Sequence, residues 1–123
     1  MKLIAQILIC LVVIEHFYFF ILESFLWTKK RTIKIFGLKS LEFAKETKVL
    51  AANQGLYNSF LAVGLLVSFI VDNIFFTKLF LGFVLVAGIY GAYSTKSIRL
   101  FWVQGLPALL AIIFIILTQY SIL

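Results

Sequence analysis

The chain has 123 residues, 63% of them hydrophobic and 13% charged, with a mean hydropathy of +1.12. A soluble domain of this length could not hide so much apolar surface, because small domains bury only part of what they carry, so a bilayer must be the solvent for much of it. The formal net charge is +6, but seven of the eleven basic residues fall between Lys29 and Lys48, a distribution produced by membrane orientation and unlike a nucleic-acid footprint.

The first apolar stretch, Leu3–Trp27, is close to the roughly 20 residues a helix needs to cross the hydrocarbon core. It is too long for a secretion signal, carries Glu15, His16 and Glu23, and lacks a small-x-small cleavage pattern, so it is expected to stay in the mature protein. Cys10, the single cysteine, lies inside it and reads as a small buried hydrophobe; no disulfide or metal cluster is expected.

The basic loop follows, with Lys29, Lys30, Arg31, Lys34, Lys39, Lys45 and Lys48. Ser40 can cap a helix running through Leu41-Glu42-Phe43-Ala44-Lys45-Glu46 straight into the second span. The Lys29–Lys39 stretch is positive enough to attract anionic lipid head groups.

The second, third and fourth spans are Val49–Val71, Ile74–Tyr93 and Leu100–Tyr120. The short link Asp72-Asn73 makes the second and third a tight antiparallel hairpin. On the second, Ala51-Gly55-Ser59-Ala62 is a face of small residues that permits close helix contact, and Ala87-Gly88 with Gly91-Ala92 gives the third a similar surface. In the fourth, Pro107 supplies no amide hydrogen and clashes with the carbonyl of Val103, which predicts a kink leaving that carbonyl free beside Gln104. A membrane barrel needs about eight strands or more, so the expected fold is all-α: one domain over residues 1–123, a bundle of four transmembrane helices.

Orientation follows from charge. The first and third connections carry nine basic residues, with Lys96 and Arg99 in the third, against Lys2 and Lys78 on the other side. The positive-inside rule then puts both connections in the cytoplasm, both termini outside, and Trp27 and Trp102 at the inner interface.

Ionisable side chains deep in a bilayer are costly and need partners. At 1.5 Å per residue Glu15 lies about 18 Å from Trp27, near the midplane, and Glu23 about 6 Å in. Asn53, Gln54, Tyr57 and Asn58 lie about 8 to 15 Å deep on the second span, and Tyr90 and Gln104 about 6 Å from the cytoplasmic ends of theirs. These residues are the candidate site, a polar cluster in the inner half of the membrane. The outer half, with Gln6, Ser68 and Gln119, is expected to be almost featureless.

The residue types narrow the chemistry. One histidine cannot supply two axial haem ligands, and Glu15, His16 and Glu23 cannot turn toward one zinc ion from a single helix. No cofactor and no metal are expected, and no phosphate loop or reactive-cysteine motif is present. What remains is proton exchange, since a carboxyl and an adjacent imidazole can share a proton.

Glu15-His16-x-Tyr18, Leu22-Glu23-x-Phe25-x-Trp27, Ala52-Asn53-Gln54-Gly55-Leu56-Tyr57-Asn58, Val86-Ala87-Gly88-Ile89-Tyr90-Gly91 and Gln104-Gly105-Leu106-Pro107-Ala108 together resemble a bacterial family catalogued as domain of unknown function 1304. The resemblance covers nearly the whole chain and implies a small four-helix inner-membrane protein, with no established activity. A second likeness is architectural: four spans and a glutamate midway along the first are similar to the small multidrug resistance transporters, whose motifs are not matched here. Three readings stay open. The first is a small-molecule or ion-binding protein related to transport, homo-oligomeric if a substrate crosses. The others are an intramembrane acid-base enzyme on a lipid-like substrate, and a structural or accessory protein whose basic loop docks a partner; membrane lipids are expected partners in each.

Overall fold

The computed structural model describes residues 2–120. Among these the chain is helical, without strands: α1 (Lys2–Phe25), α2 (Lys30–Phe36), α3 (Leu41–Glu46), α4 (Lys48–Ile70), α5 (Ile74–Thr95) and α6 (Ile98–Tyr120). Four of them, α1, α4, α5 and α6, are long and apolar enough to cross a membrane. Their outward residues, such as Ile7, Ile14, Val63, Phe75, Val86 and Leu117, are apolar and exposed, which suits hydrocarbon as the surrounding solvent. The chain divides into two compact units, one made of residues up to Glu15 together with those from Leu61 onward, the other of His16–Phe60.

In the first unit α4 and α5 form the expected hairpin. Asp72 takes a left-handed conformation (φ 54°), and the Asn73 side chain accepts the Phe76 N–H at 3.1 Å to start α5. Inside the hairpin, Thr77 Oγ1 donates to the Asn73 carbonyl (2.9 Å) and meets Ser68 Oγ at 3.2 Å, while Ser68 Oγ donates to the Leu65 carbonyl. The buried core is aliphatic, with Leu65, Leu81, Val84, Ala108 and Ala111.

The helix is irregular just before Pro107, where the sequence predicts a kink. Phe101–Gly105 is a π-helical turn, in which the Leu106 N–H reaches back five residues to the Phe101 carbonyl. Such an insertion lets a helix accommodate a bend without stranding its donors. It also brings Gly105 against α5: a Cβ on Gly88 would lie 2.8 Å from Gly105 Cα and N, backbone atoms that cannot rotate away.

In the second unit the basic loop is folded. Ser40 accepts from the Phe43 N–H (3.0 Å) and caps α3 as expected. The helix does not run straight into the second span, because Thr47 separates α3 from α4. Its hydroxyl donates to the Phe43 carbonyl at 2.7 Å, the local competition that Thr offers a helical backbone, and accepts from Trp27 Nε1 at 3.0 Å. Thr32 of α2 is buried, whereas Lys30, Arg31 and Lys34 are exposed.

Candidate functional site

The seam between α1 and α4 in the second unit is set by Gly55. A Cβ there would lie 2.5 Å from Ser24 Oγ, 3.0 Å from Glu23 Cβ and 3.2 Å from the Phe20 carbonyl oxygen, so the two helices approach as closely as they do because position 55 has no side chain. Three residues further along the same face, Asn58 Nδ2 donates to Glu23 Oε2 at 2.6 Å. Glu23 is 7% exposed and Asn58 5%. A side-chain hydrogen bond between membrane helices is worth about 0.6 to 2 kcal/mol, and leaving either buried partner unanswered costs about 1 to 3 kcal/mol.

His16 is 1% exposed, seven residues before Glu23 and therefore on nearly the same face of α1. Its ring meets Phe19 edge to face at 5.7 Å. Phe19 continues to Phe36 at 6.3 Å, and Phe36 to Trp27 at 5.0 Å. An aromatic chain thus connects the buried imidazole with α2. Glu15, about 100° round the helix from His16, is half-buried; its Oε2 is buried and has no hydrogen-bond partner among the described residues.

The other candidates lie differently. Asn53 and Gln54 are exposed, and Tyr57 is 59% exposed, its ring 6.3 Å from Phe60. Helical rotation explains the division. Ala51, Gly55, Asn58 and Ala62 form the buried stripe of α4, and at 100° per residue Gln54, Tyr57 and Asn53 project about 70°, 130° and 170° from its centre. In the first unit Tyr90 is 68% exposed, while Gln104 is half-buried within the π-helical turn, beside the Gly88–Gly105 contact.

Two features escape a reading of residue types. Ser24, next to Glu23 and one turn after Phe20, sits in the α1–α4 seam against Gly55. The N-terminal end of α1, expected to be almost featureless, carries a cavity of about 220 Å³ in the first unit, with Lys2 and Asp72 among its walls. Lone charges at helix ends look like ordinary interfacial residues until the fold brings them to one opening.

Comparison with known proteins agrees with the resemblance read from the motifs. The profile of the family described as "Protein of unknown function (DUF1304)" matches residues 10–116. The uncharacterised protein YpaA of Lactococcus lactis subsp. lactis (strain IL1403) is 30% identical over 116 residues, covering 92% of this chain and 97% of the relative. No solved structure matches.

Proposed function

The chain belongs to the DUF1304 family of proteins of unknown function, and from that premise we propose that it binds a small molecule or ion in the membrane and moves it in exchange with protons. The observation that carries the proposal is the composition of the α1 interior: Glu23 and His16 are both almost fully buried on one face of a membrane-length helix. Carboxylates and imidazoles within a bilayer mark ion and proton pathways far more often than packing. Asn58 orients the Glu23 carboxyl through one oxygen, and Glu15 offers a buried acceptor that a cationic or hydrogen-bond-donating ligand would satisfy. In this reading Glu15 and His16 exchange the proton, and Glu23 anchors positive charge nearer the basic loop. The nine-to-two distribution of basic residues supports a cytoplasmic first and third connection. A chain of this size needs further copies to enclose a crossing path.

The test uses the full chain in proteoliposomes with an internal pH-sensitive dye. Addition of Na⁺, K⁺, choline or tetraethylammonium should dissipate an imposed pH gradient for at least one of these cations, and Glu15→Gln, His16→Ala and Glu23→Gln should abolish the response. Wild-type vesicles that hold their gradient against all four overturn the proposal. An acid-base enzyme is the second reading, favoured by one detail: a carboxylate held by a side-chain amide is the arrangement of an oriented general base. It requires turnover of a lipid substrate that Glu23→Gln removes and that proceeds without any ion gradient.

A further inference from the structure

At the N-terminal end of α1, Lys2, the α4–α5 turn at Asp72 and the last turn of α6 surround a cavity of about 220 Å³. All of its walls belong to the first unit. By volume it has room for about seven waters, the size of a small polar group. Its floor is apolar, made by Ala5, Ile9 and Ile115, all buried, and it runs about 10 Å along α1, from Lys2 to Ile9. Its lining includes one cation and one anion, Lys2 and Asp72, with the amides of Gln6 and Gln119 beside them; Gln119 Oε1 accepts from Lys78 Nζ at 3.3 Å.

The two rim charges do not neutralise each other. Among the described residues neither the Lys2 ammonium nor the Asp72 carboxylate has a hydrogen-bond or ion-pair partner, although both line the same opening. Opposite charges held apart across a cavity are complementary to a ligand that carries both signs. The carboxylate suits a group that donates N–H bonds, and the ammonium suits a phosphate, which lysine binds as a point charge. The apolar floor below the rim suits a hydrocarbon continuation. These walls stand at the ends of membrane-length helices, at the level where lipid head groups lie.

We propose that this cavity binds a zwitterion combining a primary ammonium with a phosphate, Asp72 taking the ammonium and Lys2 the phosphate. An aminophospholipid head group and a free phosphoamine share this chemistry. The proposal is independent of the α1 interior, since none of the residues invoked there lines the cavity.

Native mass spectrometry of the purified full-length protein tests it, with phosphatidylethanolamine, phosphatidylcholine and phosphatidylglycerol of matched acyl chains and, separately, soluble phosphoethanolamine. The wild type should retain phosphatidylethanolamine at least about threefold over the other two lipids. Asp72→Asn should reduce it to the level of phosphatidylcholine. Asparagine keeps the left-handed conformation at this position readily, so the turn survives the change. Lys2→Gln should weaken retention of the ethanolamine lipid, and Ala5→Phe, which fills the floor, should abolish the preference. Phosphoethanolamine that binds alone or displaces the lipid identifies a soluble ligand; lipid retention without competition identifies the head group. Equal retention of all three lipids together with no binding of phosphoethanolamine overturns the site, as does a preference that Asp72→Asn and Lys2→Gln both leave intact.

Discussion

Glu23 and Asn58, 35 residues apart in the chain, meet at 2.6 Å with both side chains buried. Neither would be stable in an apolar seam without the other: the carboxyl needs a donor, and the amide needs an acceptor. The bond therefore fixes the rotation of α1 and α4 about their own axes within the second unit, and with it the direction in which His16 faces.

Removing one partner is expected to cost more than removing both. Asn58→Ala and Glu23→Ala should each lower stability by about 1 to 3 kcal/mol, because a buried polar group is left unanswered. The double variant Glu23→Leu with Asn58→Leu should lie closer to wild type than the sum of the single losses. Refolding equilibria from denaturing detergent into mixed micelles give all four corners of the cycle; strict additivity would mean the contact contributes nothing.

Gly55 should tolerate almost no enlargement. Gly55→Ala places a methyl 3.0 Å from Glu23 Cβ and 3.2 Å from the Phe20 carbonyl, and overpacking of this kind costs about 1 to 3 kcal/mol. Gly55→Leu should separate the helices and break the Glu23–Asn58 bond. Unfolding of both variants in mixed micelles reads the loss, and a wild-type midpoint in Gly55→Leu would show that the seam has room for a side chain.

Glu15 is expected to behave in the opposite way. Its Oε2 makes no hydrogen bond among the described residues, so Glu15→Leu should hold or raise stability, whereas Glu15→Gln should abolish any cation-driven proton flux. Thermal unfolding and flux measured on the same preparations separate the two effects. A stability loss above about 1 kcal/mol in Glu15→Leu would show that the carboxyl is structural.

The proposed sidedness can be read by labelling. In a Cys10→Ser background, Val71→Cys in the α4–α5 turn should react with an impermeant maleimide added to intact cells, and Lys39→Cys should react only after lysis. Replacing all seven basic residues from Lys29 to Lys48 leaves two basic residues on each side and should make the labelling mixed.

The four membrane-length helices and their approximate limits were legible residue by residue. An apolar run near 20 residues long between charged segments has one economical solution in a bilayer, and that solution needs no tertiary contact. Ser40 as a cap, the tight α4–α5 turn, and the small residues Gly55 and Gly88 as points of close approach were legible for the same reason: each follows from what one or two adjacent residues can do locally. The interruption of the fourth span was visible in Pro107; its form, a π-helical turn at Phe101–Gly105, depends on Gly105 finding Gly88 across the packing surface.

Depth along a helix can be counted from sequence, but facing cannot, because a rotation of 100° per residue turns neighbours onto different surfaces. Asn53, Gln54, Tyr57 and Asn58 share a level in α4, yet the stripe through Ala51 and Gly55 buries Asn58 and leaves the other three exposed. The chain's own residues determined that α1 carries Glu15, His16 and Glu23 within a membrane-length helix. Only packing decided that Glu23 is answered by Asn58, that His16 joins an aromatic chain through Phe19 to Phe36, and that Lys2 and Asp72 open onto one cavity. Composition governs where a segment dissolves; the hydrogen-bond demands of its few buried polar groups govern how it turns.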